Sequence, residues 1–220
     1  MQPGAQVATL DEHFLQAAPP GTALRLADRG DQAVAVVRGP GDLGIVREPH
    51  VALALWERDL SAAFLNAVDR LDLDCVDDVD LTINLPAASP MLAASLIASG
   101  YPETAAAPLA ADMLQLGEQL AALTDVARVR LRLEVVETDS CRKFHADYVT
   151  LRLLATYRGP ATQWVRTIAP DTIEQVERAA AAVFKGRLML EEPTILHRSP
   201  PIAATGEQRL LLTIDTPRQS

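Results

Sequence analysis

The sequence predicts an α+β protein in which N-terminal helices brace a C-terminal antiparallel sandwich or jelly roll. Three observations predict it. Apolar residues recur at three- and four-residue steps over 51–71 and 109–123, the period drops to two from Val126, and the later apolar segments are short and separated by turn residues. At 220 residues the chain suits a single domain, with 1–125 its mainly helical part and 126–220 its β core. Apolar residues make up 49% but aromatics only 4%, so Ala, Leu and Val must carry most of the packing.

The elements follow in order. A loose Ala-, Gly- and Pro-rich region runs to about Pro49, with a short helix expected near 11–18 and a strand over 33–38. From Val51 to Leu71, the residues Leu53, Trp56, Leu60, Phe64, Ala67 and Leu71 mark one face of an amphipathic helix. Residues 81–85 read as extended and 91–99 as helical, ending on Gly100. Leu109, Met113, Leu116, Leu120 and Leu123 make a second stripe, a helix over 109–123. Then Val129, Leu131, Leu133 and Val135 alternate with charged residues as a half-buried strand. A second strand spans 149–157 and closes on the turn signal Arg158-Gly159-Pro160. Short strands are expected at 162–166, 182–184, 194–196 and 209–214.

Composition removes several functions. A formal charge of −9 and a pI near 4.9 argue against nucleic acid or an anionic membrane as partner, because both need a basic face. No apolar run reaches the length of a membrane span, and residues 1–5 lack the basic-then-apolar pattern of a secretory signal. Cys75 and Cys141 have no CxxC spacing and read as thiols of a reducing cytoplasm. Phosphate-binding Gly loops, G-x-S-x-G elbows and H-E-x-x-H helices are absent from the sequence.

What remains is a metal pattern. Phe144-His145-Ala146-Asp147-Tyr148 is answered by His197, 50 residues beyond Asp147 (197 − 147). Two imidazoles and one carboxylate in this order can hold non-haem Fe(II) on one octahedral face and leave the other open. Period-two geometry points His145 and Asp147 to the same side of an extended chain. The same residues with Cys141 can also be drawn as a four-ligand Zn(II) site for metal carriage or stabilisation. An extended chain puts Cys141 about 13 Å from His145 at ~3.3 Å per residue, so that drawing needs a turn at 138–140; a buried apolar thiol is the plainer role. Tyr148 and Tyr157 suit core packing or a pocket wall, and Arg152 and Arg166 strand-face ion pairs or contacts to an acidic substrate. The acidic run over 72–80 lacks the Gly and Glu of a calcium loop and reads as a solvated connection. His13 and His50 fall in surface segments.

His145-x-Asp147, then His197, then Arg209 resembles the Fe(II)/2-oxoglutarate dioxygenase superfamily. The resemblance implies a cupin-like double-stranded β-helix, iron held by His145, Asp147 and His197, and Arg209 holding the distal carboxylate of 2-oxoglutarate. The gap from His197 to Arg209 is 12 (209 − 197) and contains Pro200-Pro201, longer than the superfamily habit. Arg209 is therefore either that anchor or an ordinary barrel-end ion pair. A second resemblance rests on Cys141-Arg-Lys-Phe-His-Ala-Asp-Tyr148, Thr156-Tyr-Arg-Gly-Pro160, Gln163-Trp164-Val165, Phe184-Lys-Gly186, His197-Arg-Ser-Pro-Pro201, Arg209-Leu-Leu-Leu212 and Trp56-Glu57-Arg58. The C-terminal motifs in their order, with Trp56-Glu57-Arg58 ahead of them in the chain, resemble the bacterial domain of unknown function family 1826. The family implies no activity, only an association with zinc homeostasis. The expectation is an Fe(II)/2-oxoglutarate oxygenase-like protein acting on a small molecule or a protein side chain. Its rivals are a non-catalytic zinc-binding protein and a jelly roll with a vestigial site.

Overall fold

A computed structural model describes residues 33–217, Ala88 excepted. The chain begins with β1 (Val34–Val37), a 3-10 segment at Pro40–Arg47, and β2 (Leu53–Trp56), which lies parallel to β1. Helix α1 (Ala62–Asp69) starts on Ser61, whose hydroxyl accepts the Phe64 amide proton as an N-cap. Then come β3 (Val79–Asn84), α2 (Ser89–Ala98) and the long α3 (Glu103–Thr124), which ends on Asp125 in the left-handed region at φ 54°. Seven strands follow: β4 (Arg128–Val136), β5 (Leu151–Arg158), β6 (Gln163–Arg166), β7 (Ala169–Gln175), β8 (Ala181–Lys185), β9 (Ile195–Arg198) and β10 (Arg209–Asp215).

The strands form two sheets, one ordered β1-β2-β8-β5-β10-β4-β3 and a smaller one ordered β7-β6-β9. His145 extends the smaller sheet by an isolated antiparallel bridge to His197. From β4 onward the chain alternates between sheets: β4 in the large one, His145 in the small, β5 large, β6 and β7 small, β8 large, β9 small, β10 large. That winding is a double-stranded β-helix, as expected from the later half of the sequence.

Each face of the large sheet has its own partner. Leu131, Leu133, Leu153, Leu210 and Leu212 face the helices and pack with Leu109, Met113, Leu116 and Leu120 of α3. The α3 stripe read from the sequence is thus buried against the sheet. Between the sheets, Leu53, Leu154, Trp164, Ala182, Phe184 and Ile195 form a second cluster. A buried polar contact ties α3 to β5: the Tyr157 hydroxyl donates to Asp112 at 2.6 Å, and Arg58 reaches the other Asp112 oxygen at 2.6 Å. Tyr157 is therefore core with a satisfied hydroxyl. No described helix is long and apolar enough to cross a membrane.

The expected helix over 51–71 is corrected. Leu53–Trp56 is a strand and only Ala62–Asp69 is helical. Residues 51–56 are six apolar residues in a row, which suits a strand covered on both faces, and the three-step spacing of Leu53 and Trp56 is coincidental. Strand β7 carries no apolar alternation to announce it, because its residues are mostly polar and exposed at the edge of the small sheet. The strand expected at 194–196 runs on to Arg198 and so includes His197. The helix expected near 11–18 lies outside the described residues.

Gly186, just after β8, seats the segment that carries Asp147. Its amide donates to the Thr150 carbonyl at 2.8 Å, and a Cβ there would sit 2.1 Å from the Val149 carbonyl oxygen. Gly186→Ala forces backbone from backbone and is expected to cost about 1–3 kcal/mol. Urea unfolding should show a lower midpoint with an unchanged m-value; an unshifted midpoint would contradict this close approach.

Candidate metal centre

The site begins with a backbone pairing. The His145 amide donates to the His197 carbonyl at 3.0 Å, and the His197 amide returns a bond at 2.9 Å. Directly opposed residues of an antiparallel pair project from the same face, so the two imidazoles meet, with centroids 4.8 Å apart. Asp147, two residues on, comes back to that side. One donor atom from each of His145, Asp147 and His197 then falls within 4.8 Å of the others.

The donor set has the character of ligands rather than of an ordinary ion pair. His145 Nδ1 lies 2.8 Å from the Lys143 carbonyl, which can only accept, so in the neutral ring Nδ1 carries the proton and Nε2 keeps its lone pair. His145 Nε2 is 3.5 Å from Asp147 Oδ1, and His197 Nε2 is 3.0 Å from Oδ2. Yet Oδ2 is buried and accepts no hydrogen bond of sound geometry. A buried carboxylate oxygen left bare beside two imidazole nitrogens is costly unless something fills the gap. The site thus fits a divalent cation.

Environment sets the charges. Burial raises the Asp147 pKa, but His145, His197 and Arg152 more than offset it and hold the carboxyl far below the usual range. Burial lowers the pKa of His197, against the pull of Asp147, and Phe184 stacks on that ring at 4.5 Å. The half-exposed His145 goes the other way, raised chiefly by its bond to Asp147. Asp147 is also met by Arg152 of β5, whose Nη1 lies 2.6 Å from Oδ1.

A cavity of about 210 Å³ opens beside this cluster, with His145, His197, Arg132, Arg152, Thr162 and Ser199 in its wall. Thr162 and Ser199 also hold Arg209. That guanidinium is 0% exposed and donates to the Pro160 carbonyl at 2.5 Å, to Ser199 Oγ at 2.8 Å, and to Thr156 and Thr162 hydroxyls at 3.4 Å. All four are neutral, and burial lowers its pKa to about 10. The barrel-end ion pair expected as one role for Arg209 is absent among the described residues. Among these residues, a buried cation behind the cavity wall is left without an anion.

The other candidates fall elsewhere. Cys141 is exposed and lines the cavity but does not belong to the cluster of donors, so the four-ligand drawing and the buried-thiol role are both corrected. Its backbone turns through a positive φ of 58°, which directs the chain away from the extended path. Tyr148 is 77% exposed and neither packs nor lines the cavity. Arg166 pairs with Glu174 on the small sheet, and in the acidic run Asp72 caps the Asp74 amide, Asp78 accepts from the Val135 amide on β4 and Asp80 pairs with Arg130. His50 is exposed; His13 lies outside the described residues. Sequence reasoning missed the Lys143 carbonyl and the acid that orients Arg152, namely Asp215. The signal available was parity, since Arg152 and Leu154 share a strand face.

A family model described as "Protein of unknown function (DUF1826)" matches residues 38–215. No curated protein matches the chain. Among solved structures, a Pseudomonas putida prolyl-4-hydroxylase is similar at 13% identity and a TM-score of 0.47, over 83% of this chain and 100% of that one. A rice dioxygenase for auxin oxidation is similar at 13% identity and a TM-score of 0.44, over 80% and 78%. A putative 2OG-Fe(II) oxygenase family protein from Caulobacter crescentus is similar at 14% identity and a TM-score of 0.42, over 80% of each chain.

In metal-free protein the two rings should titrate on opposite sides of the ordinary imidazole value of about 6.5, His145 above and His197 below. By linkage, the raised group adds stability that is fully present below about 6.5 and lost as pH rises through its folded value. Imidazole NMR titration checks the order, and Asp147→Asn should return His145 toward 6.5. A reversed order, or a His145 value indifferent to Asp147→Asn, contradicts the assigned contacts.

Proposed function

The chain belongs to the family of unknown function DUF1826, and we propose that it is a non-haem Fe(II)/2-oxoglutarate-dependent oxygenase-like enzyme. His145, Asp147 and His197 hold the metal through one donor atom each, two nitrogens and one oxygen, a set that suits Fe(II) and leaves coordination positions free. Iron bound there, with 2-oxoglutarate and oxygen, would supply the oxidising power to hydroxylate a substrate C–H bond, releasing succinate and carbon dioxide. Arg209 binds the distal carboxylate of 2-oxoglutarate.

The observation that carries the reading is the pairing of two unmet demands on one cavity. Among the described residues, Asp147 Oδ2 accepts no hydrogen bond although His197 Nε2 lies 3.0 Å away, and Arg209, held by Thr162 and Ser199 behind the cavity, has no carboxylate partner. A cation answers the first and a dicarboxylate the second. The chain's own residues perform defined tasks in this scheme. The Lys143 carbonyl fixes the His145 tautomer, Phe184 and the small sheet shield His197 from water, and the hydroxyls of Thr156, Thr162 and Ser199 orient the guanidinium of Arg209. Leu211 and Thr213 of β10 follow Arg209 at two-residue steps and line the cavity on its way to the metal residues. A closed zinc site is not retained, since its fourth ligand stands outside the cluster.

Protein given Fe(II), 2-oxoglutarate and oxygen should form succinate, and His145→Ala or Asp147→Ala should abolish both succinate formation and metal binding while the barrel stays folded. Arg209→Leu should keep the metal and raise the KM for 2-oxoglutarate by about 30-fold or more, the loss of a buried charge pair. Full iron affinity in either triad variant, or an unchanged KM in Arg209→Leu, would falsify the assignment.

A further inference from the structure

We propose that Arg152 is a positioning residue that confines Asp147 to ligation through one oxygen, Oδ2, and so keeps a coordination position clear. This rests on the metal reading above. Arg152 stands on β5 with its guanidinium fixed along one edge: Nε and Nη2 reach the two oxygens of Asp215 at 2.7 and 2.9 Å. Asp215 is its directly paired neighbour on β10, so the fork is anchored by strand register rather than by a flexible loop. With two nitrogens held, a planar guanidinium has only one direction left for Nη1, and that atom lies 2.6 Å from Asp147 Oδ1. Asp147 Oδ1 is thus held by the guanidinium, with His145 Nε2 at 3.5 Å, while Oδ2 faces His197 Nε2 at 3.0 Å and accepts no hydrogen bond.

The arrangement has an electrostatic requirement that the neighbouring acid meets. A lone Arg beside a divalent ion would repel it, but Asp215 neutralises Arg152 and is itself steadied by Arg132 Nη2 at 3.3 Å. Arg132 in turn contacts Glu134 at 3.2 Å, so alternating charges run from the donor cluster along the cavity wall. A carboxylate with Oδ1 committed to this ladder cannot turn both oxygens to the ion without breaking a short, partly buried ion pair. Two-oxygen ligation would consume a position that the open face needs for co-substrate or substrate.

Mn(II) is the probe, with bound water counted by proton relaxation and affinity measured by titration, in wild type, Arg152→Gln and Arg152→Lys. Arg152→Gln should lose about one exchangeable water while Mn(II) affinity holds or tightens by up to about tenfold, because the carboxylate loses a neighbouring positive charge. Arg152→Lys, with one donor head that cannot span both acids, should show the same change to a smaller degree and serves if the Gln variant fails to fold. Unchanged hydration in both variants overturns the proposal, and so does weakened affinity at unchanged hydration, which is what loss of a merely structural ion pair would give. His145→Ala separates the premises. If it binds Mn(II) as the wild type does, the metal reading itself has failed, whatever Arg152 does.

Discussion

Two backbone hydrogen bonds between His145 and His197 are the constraint on which the site depends. They close the small sheet on the segment leaving β4 and place two residues, distant in sequence, opposite each other with their side chains on one face. Asp147 then needs only the two-residue period of extended chain to join them. The rings meet because the sheet closes there, and the sheet closes there because the chain alternates between layers from β4 to β10. The geometry of this donor cluster is thus a property of strand register, with Gly186 and the 147–150 segment supplying the close backbone approach that keeps Asp147 on its side.

The polar interior follows from the same winding. In the large sheet, Leu131, Leu133, Leu210 and Leu212 face the helices. Parity then turns Arg132, Glu134, Arg209, Thr213 and Asp215 toward the space between the sheets. Charged groups buried there are tolerated only when paired or when a ligand completes them. Arg152, Asp215, Arg132 and Glu134 pair in one ladder, with only the Arg132 Nε left without a hydrogen-bond partner among the described residues. Arg209 and Asp147 Oδ2 stay incomplete, and these two define what the cavity is suited to receive. Apolar packing stabilises the barrel on its helical side, while its inner face carries the polar groups.

Much of this is legible in the sequence because it obeys simple periods. The change of period at Val126 marks the β core, the α3 stripe marks the buried helix, and the spacing of His145 and Asp147 puts both on one side. The strand over 53–56 reads as helix because a wholly apolar run carries no alternation, so its leucine and tryptophan mimic a helix face. Arg132 and Glu134 look solvent-directed because alternation tells which residues share a face but not what that face meets. In a barrel the polar face can be the inner one. The fixing of Arg152 by Asp215 lies out of reach for a related reason: the residues are 63 apart (215 − 152) and neighbour only through register. Cys141 illustrates the opposite failure, a plausible ligand by composition that a local turn of the backbone removes from the cluster.

The most direct test is an anomalous difference map from crystals of the protein loaded with Fe(II) under anaerobic conditions, recorded at the iron edge. A single peak within bonding distance of His145 Nε2, Asp147 Oδ2 and His197 Nε2 is the result expected. A peak held by Cys141 or by the acidic run, or none between the two imidazoles, would contradict the account.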